Sequence, residues 1–526
     1  MVEAVDRLRA DYDAVPYVSH AFPQTAPGRL AAIAHVFGLD VPNVSTARVL
    51  EIGCSAGGNL IPFAAWHPRA RVVGLDLSAV QIDQGRKLVA ALGLRNVELR
   101  QGDIASIDLT ALGQFDFIIC HGVYSWVPPN VQDAILSAFS RLLAPEGVAH
   151  LSYNVYPGWK AKEIVRDAML LRGGDRTTAE EKLSYARGMI DFLHEVAPAD
   201  SVLAKALDDF KAERSHANDY YVLHEQLEAF NAPCYFLDLG RRAEPHRLAY
   251  LADVEVQSMF AVNYGDKVAV PLLKECGHSQ VLVEQYLDFV VNRTFRQSLL
   301  VHGERGPQIS YQLDRRRFDR LHFAARLLPA DGEVRLDDTT QEFRDGTRNL
   351  FTRDPGVKAA IDALSARWPW TLSRRELLYE VHAHLGRAGV AAPEDQEAKI
   401  DELLEALIIR GLARFRLDPV SPEPARTPLT IDEPIRRMAE LARGRAGGYL
   451  VNRWHEGVAL SVVDSYLLPL MDGTRDRDVL VEHLYAFVVE DAIRFERDGR
   501  RLSGADELRA AVAEWIDTLP QRLPAL

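Results

Sequence analysis

Between Val49 and Leu60 the chain reads Val-Leu-Glu-Ile-Gly-Cys-Ser-Ala-Gly-Gly-Asn-Leu, and Val72-Val-Gly-Leu-Asp76 follows shortly after. A short apolar run bounded by turn residues is read as a buried strand, and the glycines beyond it mark a tight turn that opens a helix. A second apolar run then ends in a carboxylate. This order imposes a parallel α/β layout, in which a ligand binds outside the carboxyl ends of the strands.

Two more strands continue the pattern. Val97-Glu-Leu-Arg-Gln101 runs into Gly102-Asp103-Ile104, and Phe115-Asp-Phe-Ile-Ile-Cys120 runs into His121-Gly-Val-Tyr-Ser-Trp126. The ligand is read as S-adenosylmethionine rather than a dinucleotide. A dinucleotide fingerprint spaces three glycines so that backbone and helix N-terminus meet a pyrophosphate. Here the turn holds Gly53, Ser55, Gly57 and Gly58, and the strand before it carries Glu51. A carboxylate there repels a pyrophosphate but accepts a hydrogen bond from the ammonium of a methionine tail. Asp103 is placed to accept from an adenine amino group.

Residues 45 to 160 resemble a class I S-adenosylmethionine-dependent methyltransferase. A narrower resemblance rests on Tyr12-Asp-Ala-Val-Pro-Tyr17 with Pro23-Gln-Thr25, Gly53-Cys-Ser-Ala-Gly-Gly-Asn59, His121-Gly-Val-Tyr-Ser-Trp-Val-Pro128, Ser152-Tyr-Asn-Val-Tyr-Pro-Gly-Trp159, Tyr221-Val-Leu-His-Glu225 and Asn292-Arg-Thr-Phe-Arg-Gln297. Together these are similar to bacterial methyltransferases with a regulatory-domain extension, a group that includes protein-lysine methyltransferases of outer-membrane proteins. The resemblance implies a Rossmann-like, seven-stranded α/β sheet with a helical insertion. It implies cofactor contacts from Tyr17, Glu51, Gly53, Cys54, Gly57, Asn59, Asp76, Leu77, Gln81, Asp103, Ile104 and His121. The acceptor pocket is expected from His121, Tyr124, Trp126, Tyr153, Asn154, Tyr156 and Trp159, with His224 and Glu225 as a further polar pair.

The chain has 526 residues, 48% of them hydrophobic, enough for several cores. The expected division is 1–165 for an N-terminal lid and methyltransferase core, 166–218 for the helical insertion, and 219–305 for the end of the core and the regulatory region. Winged-helix-like α+β modules are expected at 306–420 and 435–526, joined through a Pro-rich linker from Asp418 to Pro434. Val131, Ile135, Leu136, Phe139, Leu142 and Leu143 repeat at helical spacing, with Pro145-Glu-Gly147 ending that helix before a fifth strand from Val148 to Val155. Thr178 with Glu181 is a capping-box signature for a helix carrying Leu183, Ala186, Ile190 and Leu193 on one face. A helix from Arg242 to Leu248 and a strand Tyr250 to Glu255 are expected to complete the core near residue 260. In the first module the helical run closes on a strand, Gly411 to Leu417.

The charge balance is 61 basic against 74 acidic residues, a net −13. Nucleic-acid binding rests on basic patches, so this balance argues against a DNA or RNA acceptor. The position after the fourth strand agrees, because it reads His121-Gly-Val-Tyr rather than the Asn/Asp-Pro-Pro-aromatic run of base-amino methyltransferases. No apolar run is long enough for a membrane span, and the charged N-terminus does not read as a secretory signal, so a cytoplasmic location is expected. Cys54, Cys120, Cys234 and Cys276 lack metal-ligand spacing and read as buried thiols, with no metal site.

The expected activity is methyl transfer to protein, at lysine side chains. A small-molecule acceptor, and a cofactor-binding regulator without turnover, are the alternatives. A homodimer is expected, and the insertion reads as a dimer surface or a substrate lid. A lysine acceptor must arrive neutral, and from a pKa of ~10.4 deprotonation at pH 7 costs about 4.6 kcal/mol, which a desolvating aromatic pocket offsets.

Overall fold

The computed structural model describes residues 19–174, 176, 178–214, 226–228, 230–421, 428, 430–443, 448–523 and 525. The segment Tyr12 to Tyr17 and the run Tyr221 to Glu225, with His224, lie outside the described residues. The chain divides into two compact units. One takes the described residues of Met1–Asp103, Phe115–Phe117 and Gln312–Leu526, and the other takes those of Ile104–Gln114 and Ile118–Tyr311.

Seven strands form the main sheet, in the order β3-β2-β1-β4-β5-β7-β6. They are β1 (Arg48–Ile52), β2 (Arg71–Asp76), β3 (Val97–Gln101), β4 (Phe115–Cys120), β5 (Leu143–Asn154), β6 (Leu248–Asp253) and β7 (Phe295–His302). In the first unit β1, β2 and β3 are parallel, with Glu51 opposite Gly74 and Asp76 opposite Gln101. Val49, Leu50 and Ile52 are buried, as a strand covered on both faces requires. The helix Ala79–Leu92 starts where the Ser78 side chain accepts from the Gln81 amide and stops at Gly93, whose φ of 68° suits a residue without a Cβ.

In the second unit the helix Pro129–Leu142 buries Val131, Ile135, Leu136, Phe139 and Leu142, the expected face. β5 begins at Leu143, directly off that helix, rather than at Val148. Pro145 lacks a donor but falls in the first turn of strand, ahead of the residues that pair with β7 from Ala149 onward. The helical insertion comprises Trp159–Gly173, Ala179–Val196 and Val202–Arg214, and its core gathers Met169, Leu183, Ala186, Ile190, Leu207 and Phe210. Thr178 caps it as expected, its side chain accepting from the Glu181 amide.

Two expectations for the end of the sheet are corrected. The helix lies at Phe236–Ala243 rather than 242 to 248, because a short 3-10 turn and Arg247 at φ 54° break it before β6. The sheet is not complete near residue 260. β7 enters it antiparallel between β5 and β6. Its polar start hides it from pattern reading: Arg296 is fully buried because it pairs with Asp288 (Nε–Oδ2 2.8 Å), Glu284 (Nη1–Oε2 2.9 Å) and Asp253 (3.4 Å).

The rest of the first unit is built from small helix-and-strand modules. Helices Pro355–Arg367, Arg374–Arg387 and Gln396–Ile409 accompany a sheet of Leu372–Ser373, His322–Ala324 and Arg414–Arg416, the last shorter than the expected 411–417. Further on, helices Glu433–Leu441, Val462–Leu467, Arg477–Val489 and Ala505–Asp517 share one core with Leu450, Leu467, Leu480, Leu484 and Val512, and Tyr449–Val451 pairs with Gly457–Ala459 as a hairpin. No helix among the described residues is long and apolar enough to cross a membrane.

Candidate active site

The turn after β1 is held from beneath by the Gly53 and Cys54 amides, which both donate to the Leu75 carbonyl at 2.8 and 3.2 Å. Gly53 (φ 80°), Ser55 (φ 52°) and Gly57 (φ 80°) take left-handed backbone, so the departure from glycine at Ser55 leaves a side chain in that conformation. The Ser55 amide donates to Asp76 Oδ2 at 2.7 Å and the Ser78 amide to Asp76 Oδ1 at 2.9 Å, which fixes the carboxylate at the end of β2. Cys54 is buried against Gly74, where a Cβ would lie 2.6 Å from its Sγ. Burial pushes its thiol well above the ordinary range, so Cys54 packs and does not react.

Glu51 is the unusual group. It is 4% exposed, and Asn59 Nδ2 donates to its Oε1 at 2.8 Å. Its Oε2 is buried with no hydrogen-bond partner among the described residues. Burial raises its carboxyl to about 8, against a smaller lowering by Asn59 and a further rise from Asp76. At pH 7 the ligand-free carboxyl is therefore mostly protonated, and with one orphaned oxygen it suits an incoming ammonium, the charge a methionine tail carries, against which it ionises.

Of the other predicted cofactor residues in this unit, Asn59 precedes the helix after the turn, and Leu77, Gln81 and Asp103 follow the ends of β2 and β3. Gln81 is buried in the first turn of its helix, and its Oε1 has no hydrogen-bond partner among the described residues. Leu77 and Asp103 are half-buried and Ile104 is buried. The residues present fit S-adenosylmethionine, whose sulfonium, when bound, supplies an activated methyl group. Glu51 would hold the ammonium, Asp76 the ribose hydroxyls and Asp103 the adenine.

In the second unit the residues after β4 and β5 form one buried cluster. The Asn154 amide donates to Ser125 Oγ at 2.8 Å, and the Gly122 amide to Ser152 Oγ at 2.7 Å. Trp126 and Trp159 meet edge to face with ring centroids 6.1 Å apart, and Tyr124 and Tyr153 do so at 6.4 Å. The Tyr153 hydroxyl is engaged with Ser298 Oγ at 2.9 Å, and both tyrosines are fully buried, Tyr124 raised to about 12 by burial. Burial lowers His121 to about 4, so its imidazole is neutral at pH 7. Tyr156 carries Lys160 Nζ over its ring at 3.8 Å and donates to Glu163 Oε1.

Asn231 was not among the predicted residues. Its Oδ1 accepts from Asn154 Nδ2 at 3.0 Å, and the segment it leads forms an isolated bridge from Cys234 to Val155, the residue after β5. In sequence the Asn231-Ala-Pro-Cys run reads as part of the chain's return to the sheet, and no spacing marks Asn231 for a role of its own. His455 was also missed. It stands in the hairpin loop of the C-terminal module, and its Nε2 lies 2.8 Å from Asn59 Oδ1.

Three family models match the chain. They are a methyltransferase domain over residues 49–147, a predicted methyltransferase regulatory domain over 218–302, and the PKMT C-terminal winged helix domain over 435–525. The uncharacterized protein RP789 of Rickettsia prowazekii is 32% identical over 513 residues, 95% of this chain and 90% of its own length. The uncharacterized protein RP028 of the same organism is 37% identical over 245 residues, 46% of this chain and 97% of its own. Among solved structures, PKMT2 from Rickettsia typhi in complex with AdoHcy is 27% identical with a TM-score of 0.83, covering 96% of this chain and 98% of that one.

Proposed function

We propose that this chain, which belongs to the class I S-adenosylmethionine-dependent methyltransferases carrying a regulatory domain and a C-terminal winged helix, transfers the methyl group to lysine side chains of a protein. The observation that carries the acceptor is the likeness to PKMT2, which runs through core, regulatory region and C-terminal module alike and includes a winged-helix family named for PKMT proteins. An acceptor of that kind also accounts for the size of the protein beyond its methyltransferase core.

In this reading the chain's task is to desolvate and orient an amine. His121 is not its base. With the imidazole at about 4 and the amine at ~10.4, proton transfer between them is uphill by roughly 8–9 kcal/mol, worse than release to water at pH 7. Desolvation lowers the amine's own pKa, and Trp126 and Trp159 supply apolar surface for it. Asn154 and its partner Asn231 orient the amine by hydrogen bonding. The homodimer belongs to the same reading, supported by Leu171, Phe192, Val196 and Val202, which the helical insertion leaves exposed. A cytoplasmic location completes it.

The test is transfer of label from methyl-labelled S-adenosylmethionine into an extract of the protein's own cells. Label in a protein band that survives strong base supports lysine methylation. Label confined to small molecules sinks it, and base-labile label points to a carboxyl ester instead.

A further inference from the structure

The C-terminal winged-helix module reaches the cofactor turn through its hairpin. Tyr449–Val451 and Gly457–Ala459 are joined by a loop in which Asn452 Oδ1 accepts from the Trp454 and Glu456 amides at 2.9 and 3.0 Å. That closure puts His455 at φ 63°, and the residue is 6% exposed. Three further contacts hold the hairpin in place. Trp66 Nε1, at the end of the helix that follows the glycine-rich turn, donates to the Val451 carbonyl at 2.8 Å. The Tyr449 hydroxyl donates to the Ser19 carbonyl at 3.1 Å, and Ser19 Oγ accepts from the Gly58 amide in the turn itself at 2.7 Å. The Arg453 guanidinium lies over the Trp66 ring at 4.5 Å.

The hydrogen-bond directions can be assigned. Asn59 Nδ2 points at Glu51 Oε1 (2.8 Å) and Thr25 Oγ1 (2.9 Å), so Oδ1 is the oxygen, and it accepts from the Phe22 amide at 3.0 Å. An amide oxygen cannot donate, so His455 Nε2 carries the proton. Burial keeps the ring neutral, down to about 3. His455 thus polarises and anchors the amide that donates to Glu51 Oε1, and Glu51 Oε2 has no partner among the described residues.

We propose that His455 is a positioning residue of the cofactor site, acting through Asn59 on Glu51, so that the C-terminal module governs affinity for the ammonium end of the cofactor. The inference rests on membership of the methyltransferase family and not on the identity of the acceptor. It is therefore tested by binding alone. Calorimetry with the full-length protein compares S-adenosylhomocysteine, which carries the ammonium, with methylthioadenosine, which lacks the amino-acid tail.

His455→Phe keeps an aromatic ring and removes the donor. It should raise the Kd for S-adenosylhomocysteine about 5- to 10-fold, the range of one hydrogen bond, and leave methylthioadenosine within about twofold. His455→Gln, which restores an N–H near the Nε2 position, should return the first value to within about threefold. Equal losses for both ligands, or no loss for either, overturn the proposal. Should His455→Phe fail to fold, amide exchange on the unaltered protein decides. Slower exchange at 449–459 on adding S-adenosylhomocysteine but not methylthioadenosine supports it, and protection confined to 53–60 overturns it.

Discussion

Replacing Glu51 with Gln should make the ligand-free protein more stable and the cofactor-bound form harder to reach. The carboxyl stands at about 8 in the fold against an ordinary 4.5, raised first by burial. A group raised in this way contributes stability that is fully present below 4.5 and is lost as pH climbs through about 8. At ~1.36 kcal/mol per pH unit, the charged or proton-borrowing carboxyl weakens the fold by about 3 kcal/mol at pH 7 and about 5 kcal/mol at pH 9. Gln at 51 does not titrate, and its amide oxygen still accepts from Asn59 Nδ2. The variant should therefore gain those amounts, growing with pH. The cofactor loses its counter-charge, and its Kd should rise roughly 10- to 100-fold, the range for a charge-assisted hydrogen bond. Amide exchange in β1 measures the opening free energy locally, which suits a chain of two units better than a single melting temperature. If Glu51→Gln exchanges as fast as the native chain at both pH 7 and pH 9, Glu51 is not a desolvated carboxyl and the account of the site fails.

Three further outcomes follow from individual contacts. Arg296→Met removes the guanidinium that meets Glu284, Asp288 and Asp253, leaving Asp288 with Arg293 and the other two carboxylates with neutral donors such as the Tyr250 hydroxyl and the Glu255 amide, and should cost about 3–5 kcal/mol. Asp253 and Asp288 are already raised by burial, so that loss should deepen as pH rises, read by amide exchange of β7 at pH 6 and 8. Gly58→Ala places a Cβ against the Ser19 carbonyl, so the segment carrying Ser19 must shift, and calorimetry should show weakened cofactor binding of about tenfold, with an unchanged Kd counting against that contact. Ser373→Ala breaks the capping box with Glu376 and should destabilise its helix by about 1 kcal/mol, seen as faster exchange in 374–378 and no change in cofactor affinity.

The sequence by itself determined what local spacing encodes. The β1 turn, Asp76 at the end of β2, the apolar face of Pro129–Leu142 and the Thr178 cap could all be read, because each is a relation among residues a few positions apart. It also singled out Glu51, since a carboxylate in an apolar strand before a glycine turn is odd wherever it occurs, and the structure buries it there. Tertiary structure alone decided the rest. β7 was hidden because Arg296 and Gln297 look like surface residues until Glu284, Asp288 and Asp253 are brought around them. Tyr124 and Tyr153 are expected from sequence in the acceptor pocket, and their full burial comes from packing between strands far apart in sequence. His455 lies 396 residues from Asn59, and nothing near either one announces the other. A hydrogen bond at that separation depends on where two modules pack, and no local periodicity carries that information.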